Sequence, residues 1–153
     1  MATEPLFRFM EEADVPRVLE LVNDYSLELS SVGMDGPRAG EYRRYLQATI
    51  ANRRHFVLLM LLDGEIRGFA DYCAEQGEQD SRVCFGEIIE FYVVPACRGR
   101  GLGTRLARRA IDHLRLLGAD LIDLGVLKTN VAGSSFWESL GFRDRSVRKR
   151  MYL

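Results

Sequence analysis

The sequence predicts an α/β domain built on one mixed, mostly antiparallel central sheet, with a parallel strand pair and helices on both faces. Three observations carry this. Phe56 to Leu62 and Glu65 to Cys73 flank Asp63-Gly64, a two-residue hairpin signal. Ile88 to Val94 is a β-branched and aromatic run that passes through a glycine-rich turn into an amphipathic helix, and Leu121 to Leu127 follows as a further strand. Strands joined through a helix run parallel, by a right-handed crossover. Two helical periods precede the hairpin, so the predicted order is β-α-α-β-β-β-α-β-α-β, as a single domain over 1–153.

The elements follow in order. Leu6 to Met10 reads as a short strand. Asp14 is a helix N-cap candidate, and Pro16 suits the first turn that follows it. Val15, Val18, Leu19, Val22, Tyr25 and Leu29 repeat at helical spacing. Residues 30–40 hold three glycines and a proline and read as a loop. Glu41 to Asn52 reads as a second helix, with Tyr42, Tyr45, Leu46 and Ile50 as its apolar stripe. In the hairpin's second strand, Ile66, Gly68 and Ala70 should alternate against Arg67, Phe69 and Asp71. Gln76 to Ser81 is a polar turn, and the next strand starts from Arg82. Pro95 should end that strand, because it cannot donate to a ladder. Thr104 opens the central helix, whose buried face carries Leu106, Ala107, Ala110, Ile111, Leu114 and Leu117; Gly118 is its C-cap candidate. Asn130 to Leu140 reads as a short helix ended by Gly141, and Phe142 to Leu153 as one or two closing strands.

Composition excludes several function classes. A net charge of −1 argues against a general nucleic-acid binder, whose affinity rests on neutralising phosphates. Cys73, Cys84 and Cys97 are odd in number with no C-x-x-C spacing, which fits a reducing compartment. His55 and His113 are the only histidines and make no metal-ligand pattern, so no metal is expected. The N-terminus lacks a signal-peptide run, and no apolar segment is long enough to cross a bilayer. The expectation is a cytoplasmic protein without nucleic-acid or membrane partners; a homodimer is compatible with it.

The turn Arg98-Gly99-Arg100-Gly101-Leu102-Gly103 spaces glycines at alternate positions and leads into the helix at Thr104. Glycines let the backbone turn tightly and approach a ligand closely. A helix N-terminus presents unpaired N–H groups and a positive dipole end, and two arginines add charge. Together they make a phosphate or pyrophosphate site, with Arg98, Arg100 and the N–H groups from Gly99 to Thr104 as ligands.

Arg98-x-x-Gly101-x-Gly103 resembles the acyl-CoA signature Q/R-x-x-G-x-G/A of the GCN5-related N-acetyltransferase (GNAT) family. Asn130-Val131-Ala132-Gly133-Ser134-Ser135-Phe136-Trp137-Glu138-Ser139-Leu140-Gly141-Phe142 resembles that family's N-x-x-A-x-x-F-Y-x-x-x-G-F. Gly133 stands at the usual alanine and Trp137 at the usual tyrosine. With the flanking elements the resemblance covers essentially the whole chain. It implies a GNAT-like fold in which the strand before the turn is bulged and splays from its parallel neighbour. The cofactor, acetyl-CoA as co-substrate, fills the gap. Phe91, Tyr92, Val93 and Val94 would then lie along the pantetheine arm, and the N–H of Val93 would face charge that develops on the thioester carbonyl. Asn130 and Phe136 fall in the second matching block, where the asparagine holds the pantetheine arm or a water. The asparagine is equally a helix N-cap. The loop between the first two helices would help wall the acceptor pocket. Trp137 replaces a tyrosine that in many members reprotonates the leaving thiolate. An indole N–H is no usable acid, so Tyr92 or a water takes the role, or the thiolate leaves unassisted.

Amine acetylation needs a neutral amine, so a base must take its proton. Glu87 and Glu90 are charged positions in an otherwise apolar strand. Counted back from Arg98, Glu87 falls where some family members carry a glutamate base, and it is the positional favourite; Glu90 lies closer to the bend. Three residues apart, they point to opposite faces of a regular strand, unless a bulge separates them. Cys97 reads as a small packed residue, and the mechanism as direct transfer.

The acceptor is a small-molecule, peptide or protein amine. Glu75, Glu78 and Asp80 make the polar turn acidic, which could attract a cationic amine. A nucleotide-binding α/β domain is weaker, because Thr104 stands where G-x-G-x-x-G needs its last glycine and the motif lies deep in the chain. The second reading is a non-catalytic acyl-CoA sensor on the same fold, kept alive by Trp137.

Overall fold

A computed structural model of the chain describes residues 4–77, 80 and 82–153. Its frame is a five-stranded sheet in sequential order: β1 (Leu6–Phe9), β2 (His55–Leu62), β3 (Glu65–Gln76), β4 (Cys84–Val93) and β5 (Leu121–Leu124). The first four pair antiparallel, and β4 pairs β5 in parallel. Asp63 and Gly64, at φ 53° and 79°, make the tight β2–β3 turn, as their sequence predicts. Between the strands lie α1 (Val15–Ser31), α2 (Ala39–Ile50) and α3 (Leu102–Leu116), and α4 (Val131–Ser139) follows β5. The predicted order therefore holds as far as α4.

Two apolar layers sandwich the sheet. Strand β2 explains why it is buried along most of its length: Val57, Leu59 and Leu61 face one layer, and Leu58, Met60 and Leu62 face the other. The first layer packs against Val15, Val18, Leu19 and Val22 of α1 and against Tyr42 and Leu46 of α2. The second packs against Leu102, Leu106, Ala107, Ala110 and Leu114 of α3. Leu106 and Leu114 are fully buried, so truncating either to alanine removes about 2–5 kcal/mol.

The structure corrects several expectations. The register of β2 and β3 shifts between Met60 and Leu61, leaving Arg67 unpaired. This bulge turns Ile66 onto the face of Phe69, away from that of Ala70. Asp14 does not cap α1 through its side chain. It accepts from the Glu11 N–H at 2.8 Å and from both terminal nitrogens of Arg8, tying a 3-10 turn over residues 12–14 to β1. Helix α2 begins earlier, at Ala39, and Ile50 at its end is exposed. Helix α3 begins at Leu102, and Leu117 lies beyond it and is 38% exposed. Gly118, at φ 91°, takes the left-handed position just past the helix. Strand β4 starts at Cys84, and β5 ends at Leu124.

The closing strands are not formed: among the described residues no strand follows β5, and 142–153 is irregular and mostly exposed. Arg143, Arg145, Arg148, Lys149 and Arg150 break up the apolar residues before Met151, and Val147, Met151, Tyr152 and Leu153 are exposed, with no apolar layer to join. Of the polar turn before β4, Glu78, Gln79 and Ser81 lie outside the described residues. Asp80 is paired with Arg82 at 2.9 Å.

Candidate active site

Strands β4 and β5 pair from Phe85↔Leu121 to Ile88↔Leu124 and no further. Strand β4 continues to Val93, so its last turn of chain presents a free edge towards the segment that follows β5. Val94 N–H donates to Arg67 O of β3 at 2.9 Å. By strand alternation the backbone of Val93 faces the other way, onto that free edge. Its carbonyl accepts from Arg98 Nε at 2.7 Å. The side chain of Val93 is buried against the α3 layer, so packing and an edge-facing N–H coexist.

At the foot of this edge lies the glycine turn. Gly99 and Gly101 sit at φ 71° and 74°, in the left-handed region that only glycine enters without strain. A Cβ at either would meet nothing within 4 Å, so the requirement is conformational, and the turn's outer surface is open. The first helical bond of α3 runs from Arg105 N–H to Gly101 O at 3.1 Å. The N–H groups of Leu102, Gly103 and Thr104 therefore precede the helical ladder, at the positive end of a 15-residue helix. An anion fits this cradle on backbone chemistry alone. Arg100 is exposed beside it. Arg98 reaches towards α1: its Nη2 meets both oxygens of Glu28, at 2.9 and 2.8 Å, and its guanidinium lies 5.4 Å from the Tyr92 ring centre.

Further up β4, the register with β3 shifts between Asp71 and Tyr72. Glu90 pairs Asp71, Ile88 pairs Tyr72 and Glu87 pairs Cys73, so Ile89 is the extra residue. This is the bulge that decides the two glutamates. Asp71 and Cys73 share a face of β3, so Glu87 and Glu90 share that face as well, under α1 and α2. They differ in surroundings. Glu87 is exposed and lies inside the stretch paired with β5, opposite Asp123. Glu90 is half-buried just beyond it. Burial raises the Glu90 carboxyl above its ordinary value, and a hydrogen bond from Tyr25 of α1 partly opposes this. Tyr25 itself is held well above the usual phenol range by burial and by the Glu90 charge.

Asp71 is fully buried, and its two oxygens accept from Tyr42 and Tyr45 of α2 at 2.6 and 2.9 Å. Burial pushes its carboxyl up to about 7, against the pull of the two tyrosine bonds, and the Glu90 charge adds to the rise. Sequence reading passed over Asp71, Tyr25, Tyr42 and Tyr45 as site residues. A signal was present: Asp71 is a carboxylate between Ala70 and Tyr72 in an apolar strand, the same criterion that picked out Glu87 and Glu90.

On the other side of the free edge, Asn130 caps α4, accepting from Gly133 N–H at 3.0 Å. A Cβ at Gly133 would stand 2.6–3.0 Å from the Asn130 side-chain atoms. The cap and the glycine are thus one feature, which accounts for glycine at that position. Trp137 is buried, with ring centres 5.0 Å from Phe91, 4.9 Å from Phe136 and 5.4 Å from Phe142. It works here as packing between α4 and the end of β4. Cys97 is buried in the α3 layer. Thr129 Oγ1 donates to Val32 O at 2.8 Å, and Ser26 Oγ to Pro37 O at 2.8 Å, so the α1–α2 loop is pinned close to the segment after β5. Among the described residues no group of His, Cys, Asp and Glu could hold a metal ion, and no helix is long and apolar enough to cross a membrane.

A parallel strand pair that opens beside a glycine turn and a helix N-terminus is the architecture of an acyltransferase cleft. The Acetyltransferase (GNAT) family profile matches residues 17–142, and the chain belongs to that family. Members typically use acetyl-CoA. The chain is 30% identical over 139 residues to an L-amino acid N-acyltransferase of Escherichia coli strain K12, covering 88% of this chain and 77% of that protein. It is 38% identical over 63 residues to an uncharacterized N-acetyltransferase of Methanocaldococcus jannaschii, and spans 41% of this chain but only 28% of that one. In fold it is similar to an aminoglycoside N-acetyltransferase solved in complex with CoA, with TM-score 0.80, 15% identity, and coverage of 100% of this chain and 98% of that one.

Proposed function

We propose that this chain moves the acetyl group of acetyl-CoA directly onto a primary amine of a small-molecule acceptor. The observation that carries the reading is the end of β4–β5 pairing at Ile88↔Leu124, which leaves the β4 edge free directly above the glycine turn. In this reading the N–H groups of Leu102, Gly103 and Thr104 hold the pyrophosphate, with Gly99 and Gly101 shaping the approach and Arg100 adding charge. Arg98 braces the turn against α1 through Glu28. The edge from Phe91 to Val94 lies along the pantetheine arm, with Asn130, Phe136 and Trp137 forming the opposite wall. The bound co-substrate supplies an activated acetyl thioester. The N–H of Val93 is the donor for charge that develops on the acyl oxygen. Tyr92, with its hydroxyl pushed up to about 12 and donating to Glu28, has no acid role in this reading. The thiolate leaves unassisted or through a water.

Glu90 is the proton acceptor in this proposal, in place of the positional favourite Glu87. A half-buried carboxylate with a raised proton affinity is better matched to an ammonium than an exposed one. It also lies where β4 has parted from β5, whereas Glu87 lies inside the paired stretch. The acceptor class follows the L-amino acid named for the Escherichia coli relative and the acidic, tyrosine-lined face under α1 and α2.

The test is free CoA thiol release from acetyl-CoA across a panel of L-amino acids, other small amines and peptide N-termini. Release with small amines supports the proposal. Acetyl-CoA binding with no release for any amine would replace it with the non-catalytic sensor.

A further inference from the structure

We infer that Asp71 is a positioning residue acting through Glu90: seated directly across the strand pair, its ionised carboxylate makes Glu90 a stronger acceptor for the amine proton. This rests on the reading of Glu90 as the base.

The geometry is specific. The bulge at Ile89 sets Glu90 opposite Asp71 on the face covered by α1 and α2. Asp71 is fully buried, and no cation pairs with it among the described residues. A buried carboxylate is costly unless hydrogen-bonded, and here two phenol hydroxyls satisfy one oxygen each. The groups that face the pair are Tyr25 and Glu28 on α1, Tyr42 and Tyr45 on α2, His55 on β2, Cys73 on β3, and Glu87 and Tyr92 on β4; the His55 ring lies 5.8 Å from that of Tyr45. Arg98, a cation at this end of the sheet, is engaged by Glu28. No cation forms an ion pair with either carboxyl among the described residues; the hydrogen bonds to Asp71 come from phenols.

Two facing carboxyls titrate as a pair, and the charge of one raises the proton affinity of the other. Burial raises both carboxyls, that of Asp71 up to about 7. Below that pH Asp71 is neutral and leaves Glu90 unaided. Above it, Asp71 carries a charge that is relieved when Glu90 takes a proton. In that step one N–H bond of the ammonium breaks, an O–H bond forms on Glu90, and the nitrogen keeps the electron pair for attack. Tyr42 and Tyr45 favour the ionised form of Asp71 and so hold its titration down towards neutrality. A merely structural Asp71 would tie α2 to the sheet and do nothing to Glu90.

The experiment is a carboxyl ¹³C NMR titration of the full chain labelled at Asp and Glu, alongside kcat/KM pH profiles measured by CoA thiol release with an amine that the wild type acetylates. In the wild type the Glu90 resonance should show a second inflection near pH 7, and kcat/KM should rise through the same pH. In Asp71→Asn both inflections should disappear. In Glu90→Gln the Asp71 midpoint should fall by about one pH unit. Tyr45→Phe, which keeps both carboxyls, should move the Asp71 midpoint and the rate inflection upward together, and it answers the question even if Asp71→Asn does not fold. An Asp71 midpoint indifferent to Glu90→Gln would overturn the inference and leave Glu90 as base untouched. A profile of unchanged shape in Asp71→Asn, with only stability lost, would reduce Asp71 to a structural tie. Glu90→Gln at full rate with coupling still visible by NMR would remove the base reading, and the inference with it.

Discussion

Arg98 reaches across the fold to hold both carboxylate oxygens of Glu28, at 2.9 and 2.8 Å, while its Nε donates to Val93 O at 2.7 Å. The motif arginine thus links α1 to the end of β4 at the foot of the glycine turn. An ion pair this exposed adds little stability, within about 1 kcal/mol. Its larger effect is on the placement of the turn. Glu28→Gln should therefore weaken acetyl-CoA binding by calorimetry, although Glu28 carries no charge that could attract a phosphate. If Arg98 instead bound phosphate directly, Glu28→Gln would free it and tighten binding.

The shared face of Glu87 and Glu90 makes their variants directly comparable. Glu90→Gln should slow single-turnover acetyl transfer ~10²–10⁴-fold near neutral pH. The deficit should shrink at high pH, where the free amine is already populated. Glu87→Gln should stay close to the wild-type rate, because Glu87 is exposed and lies within the paired part of β4. The opposite ranking would return the role to Glu87.

A Cβ at Gly103 would stand 3.7–3.8 Å from Phe136 and 3.8 Å from Val93, ordinary contact distances. Gly103→Val should therefore fold with a Tm near that of the wild type. Its branches would occupy the space between the end of β4 and α4. Acetyl-CoA affinity should fall steeply, and calorimetry on the folded variant checks it. Unchanged affinity would remove the proposed path of the co-substrate.

Asp71 also gives a stability signature with a definite sign. Its carboxyl titrates near 4 in the unfolded chain and at about 7 in the fold. The folded state therefore binds the extra proton between these values, and stability from this group is full below about pH 4 and lost as pH rises through 7. Urea unfolding at pH 5 and pH 8 should show a smaller difference in Asp71→Asn than in the wild type. An equal difference would mean that Asp71 is ionised throughout.

The element order through α4, the hairpin turn at Asp63-Gly64, the glycine turn and the cap at Asn130 are legible in the residues alone. These depend on local rules: which residues take positive φ, which side chains cap, and which periods are 2 or 3.6. The sequence also points to Glu87 and Glu90, because charge in an apolar strand stands out. Which face each carboxylate takes depends on strand pairing. One extra residue, Ile89, reverses that answer, and a bulge depends on pairing with β3 more than on any local signal. The same holds for Arg98, whose partner lies 70 residues away in sequence, and for Asp71, whose tyrosines come from a helix 26 and 29 residues before it. The closing strands failed for the complementary reason. Phe142, Val147 and Met151-Tyr152-Leu153 are strand-forming residue types, but a strand needs a partner edge and a layer to cover it, and 142–153 has neither among the described residues.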